Sequence, residues 1–225
     1  MKLIYVGKTK DVYENPDGSY TLKLKDDATG KNGVFDPGEN AVGLSIAGFG
    51  RESLRLSAHF FELLAARGVP THYLGCDIES ASMRGRPAKV FGLGLEFVCR
   101  LRAGGSFIRR YGAYAQPGDN LGFLVEATLK DDARGDPPVT VDTLVALGVM
   151  SAQEFETCAA LTKSIAGLIA ENLAAKGLEL WDLKVEFGKA GDEILLIDEI
   201  SGGCMRVYKN GELLHPMELT KFILG

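Results

Sequence analysis

The sequence predicts an α+β fold in two parts, a β-rich N-terminal domain over residues 1–97 and a mixed α/β C-terminal domain over residues 98–225. Three observations predict it. The first hundred residues hold short β-rich runs separated by turn residues. The second half is dominated by one amphipathic helix with a strong start signal. The chain beyond that helix returns to period-two alternation.

Taken in order, residues 3–6, 11–13 and 20–24 are short strand-like runs, and Asn15-Pro16-Asp17-Gly18 supplies a turn between the second and third. A helix is expected over residues 53–67. It carries Leu56, Phe60, Leu63 and Leu64 at helical spacing and is closed by Gly68 and Pro70. Residues 88–100 read as a further strand, and the character of the chain changes after Gly104, so the joint between the parts is placed near residues 90–104. Ser151-Ala152-Gln153-Glu154 is a capping-box signature. The helix it opens runs to Lys176 with Phe155, Leu161, Ile165, Leu168, Ile169 and Leu173 as its buried stripe, and ends at Gly177.

Residues 180–188 alternate, with Leu183, Val185 and Phe187 on one face and Asp182, Lys184 and Glu186 on the other. Gly188, Gly191 and Asp192 supply turn chemistry, and an apolar return run, residues 194–197, reaches Asp198. If the loop centres on Asp192, Glu186 and Asp198 stand opposite each other in an antiparallel ladder, roughly 5 Å apart. Two carboxylates that close repel, so the arrangement suits a divalent cation, and oxygen ligands favour magnesium. Lys184 on the same face could reach a phosphate. A solvated hairpin whose polar face carries acids is the plain alternative.

Composition narrows the field. With 46% hydrophobic and 24% charged residues the chain is of ordinary globular type, and its net charge of -5 argues against general nucleic-acid binding. Any anion site must therefore be a local basic cluster. No apolar run approaches the roughly eighteen residues of a membrane span, and the N-terminus has no signal-peptide-like apolar region. Cys76, Cys99, Cys158 and Cys204 form no CxxC pair, and three scattered histidines give no zinc pattern. A cytoplasmic protein with reduced thiols is expected.

Three clusters suit phosphate. Val6-Gly7-Lys8-Thr9-Lys10 places two lysines two apart beside a glycine, as in a hairpin lid over a polyphosphate, although a solvated turn also accounts for it. Between Arg100 and Arg110 lie four arginines, two adjacent glycines and Ser106, where a helix is expected to begin. Guanidinium forks, a hydroxyl and backbone N–H groups could converge there on one phosphomonoester. Residues 129–137, Leu-Lys-Asp-Asp-Ala-Arg-Gly-Asp-Pro, mark an ordered polar loop.

In this order the motifs resemble those of the phosphoribosylaminoimidazole-succinocarboxamide synthase (SAICAR synthetase) family. The resemblance is carried by Gly7 to Lys10, by Lys25-Asp26-Asp27-Ala28-Thr29-Gly30-Lys31-Asn32-Gly33, by the run from Glu96 to Ser106, by Lys130 to Pro137, and by Asp182 to Gly188 with Asp198-Glu199-Ile200-Ser201. It implies a two-domain fold akin to the ATP-grasp and kinase-like arrangement. It also implies an ATP- and magnesium-dependent ligase that joins carboxyaminoimidazole ribotide to L-aspartate through an acyl phosphate. By position, Gly7, Lys8 and Lys10 would hold ATP phosphates, Glu186 and Asp198 would bind magnesium, and Lys184 would contact the phosphates or the reacting carboxylate. Arg100, Ser106 and Arg206 would bind the ribotide phosphate, with Lys130 and Asp136 lining the substrate site. No nucleic-acid or membrane partner is implied, and a homo-oligomer is expected.

The departures lie on the substrate side. Where the family reads Ser-Pro-Asp-x-x-Arg, this chain reads Ser201-Gly202-Gly203-Cys204-Met205-Arg206, and Gly48-Phe49-Gly50-Arg51-Glu52-Ser53-Leu54 lacks the family's lysine and asparagines. The chain also stops at Gly225, short of the final helix most members carry. A related amide ligase with another carboxylate or amine, or a non-catalytic nucleotide- or ribotide-binding regulator, therefore stand as alternatives.

Overall fold

The computed structural model describes residues 1–39 and 41–225. The chain opens with strands β1 (Lys2–Val6), β2 (Lys10–Glu14), β3 (Tyr20–Leu24), β4 (Asp27–Lys31), β5 (Val34–Phe35) and β6 (Val42–Ser45), then helix α1 (Phe49–Ala65), then β7 (Tyr73–Asp77), β8 (Ser82–Gly85) and β9 (Lys89–Val90). It continues with β10 (Leu95–Arg102), α2 (Gly105–Tyr111), β11 (Asn120–Leu129), β12 (Pro138–Val139), α3 (Val141–Ala146), α4 (Ala152–Ala174) and β13 (Glu179–Ala190). It closes with β14 (Glu193–Ile197), β15 (Met205–Lys209), β16 (Glu212–Leu213) and α5 (Pro216–Leu224).

Two compact units result. One comprises Met1–Lys89, Gly188–Cys204 and His215–Gly225, the other Val90–Phe187 and Met205–Leu214. The first changeover falls at the edge of the expected joint. Because the chain then re-enters the first unit twice, no single cut between residues 97 and 98 separates the two. The physical reason is the length of β13, which starts in the second unit and continues unbroken into the first.

In the first unit, strands run in the order β1-β2-β3-β8-β7, with a smaller sheet β5-β4-β6. Helix α1 packs on β3, β7 and α5 and buries Leu54, Leu56, Phe60, Phe61 and Leu64. It begins four residues before the expected start, and the cause is remote in sequence. Asp26 Oδ2 accepts from the Gly48 N–H at 3.0 Å and Asp26 Oδ1 from the Gly50 N–H at 3.0 Å. The side chain preceding β4 thus satisfies the helix N-terminus that no local residue caps. The 15–18 turn forms as expected, with Gly18 at φ 81° donating to the Asn15 carbonyl at 3.0 Å.

In the second unit the sheet order is β12-β11-β10-β13-β15-β16. The capping box of α4 is present in both directions, Glu154 N–H to Ser151 Oγ at 3.2 Å and Ser151 N–H to Glu154 Oε2 at 2.8 Å. Helix α4 packs on β10 and β11. Its expected stripe is fully buried at Ile165, Ile169 and Leu173. Phe97 lies 5.5 Å from Phe155 and 5.6 Å from Phe187, centroid to centroid. The strand expected over residues 88–100 is interrupted. Gly92 (φ 56°) and Gly94 (φ 121°) turn the backbone left-handed between β9 and β10, which breaks the ladder.

His72 is a buried ring of the first unit, 5.6 Å from Phe61, whose Nε2–H donates to the Asp198 carbonyl at 3.0 Å. Burial pushes its pKa down to about 4. In the unfolded chain the same imidazole takes up a proton near pH 6.5, so the unfolded state binds more protons below that pH. Stability must then fall as the pH drops from about 6.5 to about 4, by about 3 kcal/mol over the window. His72→Gln should flatten this part of the stability profile, measured by urea unfolding between pH 4 and 7; an unchanged slope would assign the acid loss to other groups.

Candidate functional site

A polar face is assembled across four strands of the second unit by their register. In the antiparallel ladder of β10 and β13, Glu96 stands opposite Glu186, Val98 opposite Lys184 and Arg100 opposite Asp182. On the outer side of β10, Thr128 and Glu126 of β11 face Glu96 and Val98, and on the outer side of β13, Arg206 of β15 faces Asp182. Opposed and alternate residues share a face. One surface of this sheet therefore carries Thr128, Glu126, Glu96, Arg100, Lys184, Glu186, Asp182 and Arg206, while Phe97, Leu183, Val185 and Phe187 point the other way into the core.

At one end of this face the charges form a buried ionic cluster. Asp182 is 3% exposed and accepts from Arg206 Nη1 at 2.9 Å and Arg100 Nη1 at 3.3 Å. Arg100 also donates from Nη2 to Ser106 Oγ at 2.9 Å and from Nε to Glu126, whose other oxygen accepts from Arg110 Nη2 at 2.5 Å. A buried carboxylate is tolerated only when such donors surround it. Gly105, in the left-handed region at φ 51°, leaves room for Arg206; a Cβ there would lie 2.5 Å from the guanidinium carbon. The three residues expected to hold a phosphomonoester, Arg100, Ser106 and Arg206, are thus brought together. Of the other arginines in the run, Arg102 pairs with the exposed Glu179 at 2.8 Å instead.

Farther along the face, Glu96 and Glu186 stand directly opposite as like charges, and each has its own lysine. Lys184 Nζ lies 2.8 Å from Glu96 Oε1, and Lys130 Nζ 2.6 Å from Glu186 Oε1. Lys130 comes from the polar loop after β11, which is ordered as expected. Within it the Asp131 N–H donates to Asp136 Oδ1 at 2.7 Å, and Asp136 holds a left-handed backbone at φ 48°. Burial, with Glu96 and Asp132 adding repulsion, holds the Asp136 carboxyl above its ordinary pKa.

The first unit holds the remaining predicted residues. Gly7 lies in the connection between β1 and β2, where its N–H donates to the Lys10 carbonyl at 2.8 Å and its carbonyl accepts from Lys25 Nζ at 2.9 Å. A Cβ on Gly7 would sit 2.7 Å from the Lys10 carbonyl oxygen, so the tight lid turn requires glycine. Lys8 is exposed. Lys10 reaches Asp198, with Nζ 2.6 Å from Oδ1 and 2.7 Å from Oδ2, and lies 3.6 Å from Glu199.

Asp198 corrects the expected pairing. The loop between β13 and β14 is Gly191-Asp192, so its centre falls between those residues, and β14 ends at Ile197. Asp198 has left the ladder and stands in the left-handed region at φ 70°, uncommon for a residue with a side chain. Its carboxylate nevertheless fits a cation, since a lysine ammonium already sits within 2.7 Å of both oxygens. Glu186 offers the same hard oxygen chemistry. Among the described residues no group of three or more His, Cys, Asp or Glu forms a metal cage. Each carboxylate by itself is a hard oxygen donor of the kind magnesium takes together with substrate phosphates and water. At residue 202 the glycine also has a local reason. A Cβ on Gly202 would lie 2.6 Å from Pro216 Cβ, so this turn excludes a side chain there.

Sequence reasoning missed Glu96, Glu126 and Glu199 as members of these charge groups. For Glu96 a signal was available, an acid inside the otherwise apolar run Leu95-Glu96-Phe97-Val98-Cys99. No helix among the described residues is long and apolar enough to cross a membrane.

Comparison with known proteins gives a consistent picture. The SAICAR synthetase family model matches residues 3–218. The phosphoribosylaminoimidazole-succinocarboxamide synthase of Clostridium tetani is 53% identical over 226 residues, covering 100% of both chains. A solved SAICAR synthetase in complex with ADP superposes with a TM-score of 0.83 at 28% identity, covering 98% of this chain and 91% of that one. The Pyrococcus horikoshii SAICAR synthetase gives 0.80 at 28% identity, covering 96% and 91%.

The buried cluster makes a stability prediction independent of any ligand. Asp182→Ala removes the carboxylate shared by two buried guanidiniums and should destabilise the protein by about 3 kcal/mol or more in urea unfolding; a loss below about 1 kcal/mol would show that Glu126 alone neutralises the cluster.

Proposed function

Because the chain belongs to the SAICAR synthetase family, we propose that it joins carboxyaminoimidazole ribotide to L-aspartate with ATP, forming SAICAR, ADP and phosphate. The observation that carries this reading is the convergence of Arg100, Ser106 and Arg206 on one end of a polar sheet face whose other end holds Lys130, Lys184 and Glu186. A phosphomonoester at the arginine end leaves the reacting part of the same molecule to reach toward the lysines.

The assignments follow from charge. Arg206, Ser106 and Arg100 bind the ribotide phosphate, guanidinium being the donor that matches phosphate geometry. Lys184 neutralises the substrate carboxylate, and Lys130 and Asp136 line the same site. Gly7, Lys8 and Lys10 hold the ATP phosphates. Glu186 and Asp198 are the carboxylates that would hold magnesium, which when bound neutralises phosphate oxygens that would otherwise repel an incoming carboxylate. In the reaction a ribotide carboxylate oxygen attacks the γ-phosphorus and ADP leaves. The aspartate amine then attacks the acyl phosphate carbon, loses a proton, and phosphate departs with the C–O electron pair. No covalent enzyme nucleophile is needed. The chain contributes positioning and charge neutralisation. We further propose that it works in the cytoplasm as a homo-oligomer with no nucleic-acid or membrane partner, and light scattering of the purified protein checks the oligomer.

The test is ADP release with magnesium, ATP, the ribotide and L-aspartate, each omitted in turn. Release should require all four and stop on adding EDTA. Release that persists with another amine but not with aspartate would favour the second reading, a ligase with an altered acceptor, which the loss of a side chain at Gly203 motivates. Asp198→Asn should lower turnover more than about 100-fold with the melting temperature held within a few degrees; full activity in that variant would remove the metal assignment.

A further inference from the structure

Arg100 and Arg206 face a difficulty as the whole of a phosphate site. Their two positive charges are matched by two carboxylates, Asp182 and Glu126, so the cluster they form has no net charge to offer an anion. Their guanidiniums are also enclosed, with side chains 4% and 9% exposed. Arg100 has donors committed to Glu126, Asp182 and Ser106.

Arg110 answers both points. It lies four residues after Ser106 on α2, hence on the same helix face. Its Nη2 grips the Glu126 carboxylate whose other oxygen accepts from Arg100, which closes a ring through Arg100, Ser106, α2, Arg110 and Glu126. Its side chain is 25% exposed, the most accessible of the three arginines, and it turns the cluster from neutral to one net positive charge. Its guanidinium carbon sits 5.3 Å from the Tyr111 ring centroid. Its Nε–H is buried with no acceptor in the protein. A buried donor without a partner is costly and calls for an explanation, of which a bound anion is one.

We propose that Arg110 is a further binding residue for the phosphomonoester of the substrate, aimed by Glu126 and presenting the donor that the protein itself leaves unmatched. The inference rests on reading Arg100, Ser106 and Arg206 as the phosphate site. The chemistry it recognises is the dianionic 5′-phosphate, and the ring and carboxylate of the ribotide lie outside it.

The experiment measures binding by calorimetry of carboxyaminoimidazole ribotide, its 5′-dephosphorylated nucleoside and ADP to the wild type, Arg110→Gln, Arg110→Lys and Arg206→Gln. Arg110→Gln should weaken the ribotide roughly 10- to 100-fold, the scale of a hydrogen bond to a charged group, and leave nucleoside and ADP unchanged. Arg110→Lys, which keeps the charge and loses the fork, should fall between and serves alone if the glutamine variant does not fold. Wild-type ribotide affinity in the Arg110 variants with a loss in Arg206→Gln would overturn the role of Arg110 and leave the site standing. No loss in either would overturn both. Equal losses for ribotide and nucleoside would show that Arg110 acts through the fold, which also overturns the proposal.

Discussion

Asp182 is an ionised group almost wholly removed from water, and the interior tolerates it because two guanidiniums share it. That constraint organises the sheet of the second unit. A single carboxylate on β13 fixes Arg100 from β10 and Arg206 from β15 at the same height, and Arg100 in turn fixes Ser106 and Glu126. The arrangement is paid for in desolvation, and its return is geometric: donors from two strands and one short helix are held in one place before any ligand arrives. Elsewhere the same rule is met with lysines. Glu96 and Glu186 would repel across the ladder, and Lys184 and Lys130 neutralise them one by one. In the first unit Lys10 does so for Asp198 and Glu199.

These lysine pairs have a functional consequence under the proposed ligase reading. An ammonium resting on a carboxylate occupies the position of a cation and is itself the group that phosphate attracts. Exchange of partners, the carboxylate taking metal and the lysine taking phosphate, leaves every buried charge compensated throughout. Lys25, which holds both Asp11 at 2.6 Å and the Gly7 carbonyl, keeps in shape the turn that carries Lys8 and Lys10.

Much of this was legible in the sequence where the signal was local. The capping box at Ser151, the 15–18 turn and the period-two face of β13 depend on neighbouring residues, and all formed as read. Features that depend on remote partners were not legible. Helix α1 starts at Phe49 because Asp26, more than twenty residues earlier, caps it. The strand expected over residues 88–100 breaks because Gly92 and Gly94 adopt left-handed backbone, a freedom that glycine has but does not announce. Asp198 leaves its ladder through a positive φ, supported by the buried His72 donating to its carbonyl. For the site, residue types pointed to Arg100, Ser106 and Glu186, and the family resemblance added Arg206 and Lys130. That Glu126 holds Arg100 and Glu96 holds Lys184 followed from strand register, since pairing between β10, β11 and β13 joins segments up to ninety residues apart.

Under the proposed function the lysine–carboxylate pairs are resting contacts which substrate and metal replace, and a crystal structure with magnesium, ADP and the ribotide would show the exchange. Expected are metal on the Asp198 and Glu186 carboxylates, Lys10 moved from Asp198 to a nucleotide phosphate, and the ribotide phosphate against Ser106 and Arg206. An intact Lys10–Asp198 pair with the metal held by other residues would contradict it.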